Sequence, residues 1–416
     1  MLQDAFPIPT SINFERLLGT LRELGEIGAL ASGGVSRLAL SEQDAAGRRY
    51  VIGLMKQSGL QVRIDKIGNA VGQLAGTNPD LAPVMVGSHI DTVYGGGDYD
   101  GNLGVLAGVE IVRTILQSGW RPTRGIEVGF FTNEEGSRFS PDMLGSLVYV
   151  GDLSLEEALL QVDSDGLSVA DELEKHCLAG PTPVPGAVPF VFLELHIEQG
   201  PVLDGSGVDI GVVTAVQGIN WRRLIIKGVA NHAGTAPMSM RTDAGFCAAQ
   251  VIVKARELGL RSAGKVVATV GFVSVAPNLV NVVPSSVEMT IDMRSLDDQC
   301  LARAVAEMEV FIEECLSSEG CVYSLVEEVA LKAHPFSSWV AGLLEDSARE
   351  LELSAVRMVS GAGHDAQILG RVAPAGMIFV PSINGISHNP NERTEERDLC
   401  NGANLLLSAV VKLSGL

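Results

Sequence analysis

Short apolar runs and helical spacings alternate along the first half of the chain. Residues 84–87 (VMVG), 126–131 (IEVGFF) and 190–195 (FVFLEL) are nearly unbroken runs of strand length. Strands buried on both faces read this way, because neither face meets water. Between two of them, residues 104–116 repeat their apolar positions at a helical period. Ser41 with Asp44 reads as a capping box, after which Val51, Leu54 and Met55 recur at helical spacing until Gly59 stops the turn. Strands alternating with helices predict an open α/β sheet. The Pro-rich stretch 181–189 reads as a surface loop.

Near Gly211 the pattern changes. From 213 to 326 it predicts strand, helix (243–258), strand (266–275), strand (286–294) and helix (297–317). That order makes an α+β unit of about 110 residues, a common domain size. Beyond it the helix–strand pattern resumes, with a strand at 377–380 and a last helix at 399–413. The expected architecture is a mixed-sheet α/β domain in two pieces, 1–212 and 329–416, with a smaller α+β domain, 213–328, inserted between them.

Composition narrows the partners. The chain has 416 residues, 46% of them hydrophobic and 19% charged, with 47 glycines and a net charge of -20. A field of that sign repels phosphate backbones and anionic lipid, so nucleic acid and membrane surfaces are not expected partners. No run of about 18 uncharged apolar residues is present to span a bilayer. The opening MLQDAFPIPT has neither a basic nor an apolar region and does not read as a signal peptide. The six cysteines include no CxxC pair and read as reduced packing residues, consistent with a cytoplasmic protein.

Four apolar strands run into metal-type ligands. VMVG leads to His89 and Asp91, VGFF to Glu134 and Glu135, FVFLEL to His196 and, eight residues past its end, MIFV to His388. Sites in open α/β sheets form beyond the carboxyl ends of the strands. The chain has only seven histidines, and three stand at such ends. Asp91 is two residues from His89 in an extended segment, so its carboxylate is expected to face the same way and brace the spare imidazole N–H. Asp100, after the turn Gly95-Gly96-Gly97 and before a helix, could bridge two cations. Glu134 and Glu135 point apart, leaving one to bind metal and the other to act as a base.

The segments GSHIDTVYGGGDYDG, FFTNEEGSRF, ELHIEQGPVL, NHAGTAPMSMRTDA, NLVNVVP, SGAGHDAQ and GISHNPNE resemble a known motif set. It is that of the L-carbamoylase and allantoate amidohydrolase branch of the dinuclear aminoacylase/carboxypeptidase metallohydrolases. The resemblance runs in family order over residues 17–413. It implies two divalent ions per subunit (Zn, Mn or Co) bridged by Asp100, with His89 and His196 on one and Glu135 and His388 on the other. Glu134 is then the general base. His196 is typical of this branch, where peptidase relatives generally carry a carboxylate. Asn384 and Asn391 depart from the family pattern but flank His388 without replacing it.

The resemblance also implies substrate contacts and an assembly. Arg294 would grip a substrate carboxylate, with a salt bridge to Asp292 or Asp297 as its alternative use. Gln199, His232 and Asn281 would surround the scissile ureido group. The glycine-rich turn with Gly361 and Ala362 would approach substrate; whether the neighbouring His364 has a function stays open. His176 and His334 read as surface residues. The inserted domain would serve as lid and homodimer interface, carrying His232 to the partner's metals. The implied reaction is hydrolysis of an N-carbamoyl-L-amino acid. Allantoate, a β-ureido acid, an N-acyl amino acid, or a non-catalytic metal-binding role are the alternatives. A dinucleotide enzyme is disfavoured, since no GxGxxG follows the first strand.

Overall fold

In the computed structural model, which describes residues 7–416, the apolar runs become strands and the helical spacings become helices. Residues 1–6 of MLQDAFPIPT lie outside the described residues. The chain forms two units: the described residues up to Thr214 together with Pro335–Leu416, and Ala215–His334.

The first strands are β1 (Gln61–Ile64), β2 (Ala70–Leu74), β3 (Val84–His89), β4 (Ile126–Phe131), β5 (Val191–Ile197) and β6 (Ile210–Val216). The smaller unit holds β7 (Gly218–Lys227), β8 (Asn231–His232), β9 (Val267–Thr269), β10 (Val273–Ala276), β11 (Val282–Val283), β12 (Ser286–Ser295) and β13 (Val322–Leu331). The chain then returns through β14 (His334–Pro335), β15 (Ala355–Ser360) and β16 (Ala375–Val380).

Among the described residues nine strands make one mixed sheet, in the order β1-β2-β4-β3-β5-β16-β6-β14, with β15 on β6. Its centre, β4-β3-β5-β16, is wholly parallel. β2 and β6 flank that centre antiparallel. Every residue of the four central strands is buried. Val86, Val128, Leu193 and Ile378 join the core built with the helices Phe14–Gly25, Asn102–Ser118, Ser338–Glu350 and Glu396–Ser414. Met85, Phe131, Phe192 and Phe379 fill the opposite face and are equally buried. That double burial explains why the sequence showed runs where a half-buried strand alternates. Parallel neighbours also end on the same edge, so four ligand-bearing ends converge.

The smaller unit is built differently. Its antiparallel sheet, β10-β12-β7-β13 with β9 on β12, packs against the helices Ala244–Arg261 and Asp298–Glu319. β12 alternates, with Val287, Met289, Ile291 and Met293 turned into the core. The carboxylates of Asp243 and Asp297 cap the two helices.

Several expectations need correction. The strand expected at 266–275 is two strands, because residues 270–272 oppose only residues 290–291 of β12, a one-residue bulge. β13 was missed: its apolar residues Val322, Leu325, Val326 and Val329 do not alternate, since the register shifts between Glu327 and Val329, and it runs to Leu331, past residue 328. Ser41 caps its helix, but the box is not reciprocal. The Asp44 carboxylate turns instead to the Leu40 N–H and to Arg48, each at 2.7 Å. Cys177 is exposed at a left-handed helix end and is not a packing residue. His176 and His334 are partly buried. No helix among the described residues is long and apolar enough to cross a membrane.

Candidate metal centre

Asp100 is the centre of the site. Nε2 of His196 lies 3.0 Å and Nε2 of His89 3.5 Å from its Oδ1, and Nε2 of His388 lies 3.3 Å from its Oδ2. His388 also stands 3.3 Å from Glu135, and His89 3.4 Å from Glu134. The local sequence makes this approach possible. Gly101 has φ 66°, and a Cβ there would run into the His89 ring, so only glycine lets the turn close over that imidazole.

The imidazoles are aimed by their other nitrogens. Nδ1 of His196 meets the Ile197 carbonyl at 2.9 Å, leaving Nε2 toward Asp100. Nδ1 of His89 likewise meets the main-chain carbonyl of Asp91 at 2.9 Å, not its carboxylate as expected. β3 ends at His89, so the alternation that would put both side chains on one side stops there. The Asp91 carboxylate instead accepts the N–H groups of Glu134 and Glu135, each at 3.3 Å. It sets the turn that carries both glutamates. Between His89 and Asp91, the Ile90 carbonyl is held at 2.6 Å by the buried Arg37. The same guanidinium takes the carbonyls of Leu24 and Ile27 and the Asn102 side chain.

Two supporting carboxylates were not anticipated. Glu392 is buried, accepts the N–H groups of Tyr99 and Asp100, and receives the Ser387 hydroxyl at 2.8 Å. It lies four residues past His388 in a polar loop, a position with no strand to flag it. Glu194 receives the Ser88 hydroxyl at 2.6 Å and the Ala366 N–H at 2.8 Å. A charged residue inside FVFLEL was the available signal. His364 is buried too, its ring edge-on to His196 at 4.6 Å between centroids.

Gln199 belongs to this cluster: its amide nitrogen donates to Asp100 at 2.7 Å. Gly361 and Ala362 sit in the turn just before His364. His232, Asn281 and Arg294 lie in the smaller unit. His232 and Asn281 are neighbours there, since the Ala233 N–H bonds the Asn281 carbonyl at 2.9 Å, and both side chains are exposed. Arg294 is paired with Asp292 of its own strand at 2.7 Å, the alternative that the sequence offered for it.

Electrostatics mark the cluster as deficient in positive charge. Burial would lift the Asp100 carboxyl, but the imidazoles of His196, His388 and His89 hold it well below the usual range. Burial and the charge on Asp100 push Glu135 up to about 8. The hydrogen bond to Asp100 lifts His388 to about 9 against the effect of burial. Burial raises Glu134 well above its usual range despite the nearby His89. Burial and the neighbouring His196 keep His364 well below the ordinary imidazole range.

The donor set fits divalent cations. Among the described residues His89, Asp100 and His196 form one group, and Asp100, Glu135 and His388 another, with ligand atoms within 4.8 Å of one another. Oε1 of Glu135 is buried without a partner among the described residues, a free lone pair that a cation would satisfy. Nitrogen and carboxylate donors without thiolate suit zinc, manganese or cobalt.

Known proteins resemble this chain over nearly its whole length. Residues 79–412 match the model of peptidase family M20/M25/M40. The chain is 39% identical over 412 residues to an N-carbamoyl-L-amino acid amidohydrolase of Geobacillus stearothermophilus, covering 97% of this chain and 99% of that one. It is 34% identical to an allantoate amidohydrolase of Bacillus subtilis, covering 94% and 95%. A hydantoinase/carbamoylase family amidase from Burkholderia vietnamiensis superposes with a TM-score of 0.93 at 38% identity, over 99% of both chains. Fold, family model and full-length likeness agree, and the chain belongs to the peptidase family M20/M25/M40.

Proposed function

We propose that this protein hydrolyses an N-carbamoyl-L-amino acid to the free amino acid, ammonia and carbon dioxide, using two divalent ions per subunit. One observation carries the reading: each oxygen of the Asp100 carboxylate faces its own histidine-bearing group. The substrate class follows from the relative of that name, matched over nearly the whole length of both chains.

In this reading His89 and His196 would hold one ion and Glu135 and His388 the other, with Asp100 serving both groups. Ions so bound bring the pKa of a water toward neutrality and polarise a carbonyl oxygen. Glu134, outside both groups and 3.4 Å from His89, takes the water's proton. As the new C–O bond forms and the C–N bond breaks, Glu134 returns that proton to the departing nitrogen. The carbamic acid released falls apart to ammonia and carbon dioxide. Asp91 keeps Glu134 in place through the main chain. Gln199 and the Gly361–Ala362 turn receive the substrate, Arg294 its carboxylate, and Asn281 and His232 the ureido group. The smaller unit serves as lid and homodimer interface, with His232 serving the partner's site. Six free cysteines suit a reducing, cytoplasmic setting.

A panel of N-carbamoyl amino acids, allantoate and N-acyl amino acids, scored by ammonia release and amine formation, tests the assignment. Ammonia with a free amino acid from the first class is expected. The Bacillus relative favours allantoate as the second reading, and turnover of allantoate alone would transfer the assignment to it. Turnover of N-acyl acids only would end both.

A further inference from the structure

The motif SGAGHDAQ contributes a polar knot that the proposed chemistry leaves unused. The Ser360 hydroxyl lies 2.8 Å from the Ala362 carbonyl, 3.1 Å from the Ala362 N–H and 2.8 Å from Nε2 of His364. A hydroxyl has one proton and two lone pairs. It must accept the Ala362 N–H, and if it donates to the Ala362 carbonyl, His364 has to donate from Nε2. That tautomer leaves Nδ1 of His364 bare, and Nδ1 has no partner among the described residues. The opposite tautomer would bury an N–H with no acceptor, which costs more. The His364 ring is buried, edge-on to the ligand His196 at 4.6 Å and to Phe379 at 5.6 Å. At the tip of the same turn, a Cβ added to Gly361 would meet no heavy atom within 4 Å. One end of the knot is packed on the metal-side imidazole and the other opens to space.

We infer that His364 is a positioning residue that, through the Ser360 hydroxyl, fixes the turn 361–362 relative to the ring of His196. The inference rests on the reading of that turn as the substrate's seat. In this role His364 sets where the Ala362 peptide stands when the ureido acid arrives.

Three variants of the full chain, loaded with metal, test it: His364→Phe, which keeps an aromatic edge but no donor, Ser360→Ala, and His364→Gln, whose amide can again donate to Ser360. The first two should raise KM roughly tenfold, the effect of one hydrogen bond lost from a pre-set turn. Their kcat should stay within about threefold and their ion content should not change. His364→Gln should recover most of the KM. Hydrogen exchange of the peptide spanning 360–363 needs no substrate, and should be about tenfold faster at the Ala362 amide in His364→Phe. Unchanged exchange in that variant, or lost ions and kcat at constant KM, would overturn the inference. Should His364→Phe not fold, the KM and ion content of Ser360→Ala decide alone. A wild-type chain inert toward every ureido acid would count against the proposed function only, with exchange still deciding the role of His364.

Discussion

The larger unit keeps its chemically significant side chains at the ends of four parallel strands whose two faces are both covered. The smaller unit carries His232 on the short β8–β11 ribbon, Asn281 just before β11, and Arg294 on an antiparallel sheet with helices packed against it. In the first region the side chains at the strand ends are tied to one another and to the main chain, so a substitution is felt by its neighbours. In the second, exposed groups serve nothing in their own core, and their removal should leave the unit folded. Buried networks thus fix geometry, and under the proposed function the exposed ribbon supplies groups to a partner.

The sharpest test of the first region is Glu134→Gln. With Glu134 the base and Glu135 a ligand, turnover should fall by roughly 10²–10⁴-fold with metal content intact. Loss of metal in this variant would mean that the two glutamates exchange roles. The sharpest test of the second mixes two inactive proteins, Glu134→Gln and His232→Ala. If His232 acts in trans, half of randomly re-paired dimers are mixed and one of the two sites in each is whole. Activity should recover to about a quarter of wild type. A mixture demonstrably exchanged yet inactive would confine His232 to its own subunit and erase the contrast.

A smaller effect follows from protons. Without ions, His388 keeps its proton up to about pH 9 and Glu135 up to about pH 8. Both pKa values are raised, so cations must displace protons at neutral pH, and affinity grows with pH until those groups titrate. Calorimetry in buffers of differing ionisation enthalpy should record proton release near pH 7. Affinity should rise roughly tenfold per pH unit for each proton displaced. Release of none would separate His388 and Glu135 from the ligand set. The mildest change is expected of Arg294→Lys, which keeps the charge and loses the fork. A few-fold loss of preference for an N-carbamoyl acid over its amide is expected. An unchanged preference would leave Arg294 to Asp292 alone.

Much of the larger unit was legible because double burial leaves an unmistakable run, and because polar residues at four strand ends have few other uses. His89, Glu135, His196 and His388 stood out as candidates near those ends and Asp100 after a glycine turn, while their division between two ions came from the family resemblance. What escaped is what periodicity cannot encode. The Asp91 carboxylate turned to main-chain amides because β3 stops at His89. Glu392 works from an irregular loop. In the smaller unit, the bulge opposite residues 290–291 breaks the alternation that marks a strand, and the register shift between Glu327 and Val329 does the same in β13. His364 stayed undecided for a related reason: its role lies in a tautomer and a ring contact across the fold.

Arg37 carries one more consequence. The match to the family model begins at residue 79, yet this guanidinium, with the Leu24 and Ile27 carbonyls it binds, comes from before that point. A chain trimmed to the matched segment would keep every ligand and lose the cation that clamps the Ile90 carbonyl beside His89. Boundaries drawn by the family model therefore cut through the foundation of the site, and excision of the N-terminal helices should cost ion binding as well as the core that Leu17, Leu21 and Leu24 help to fill.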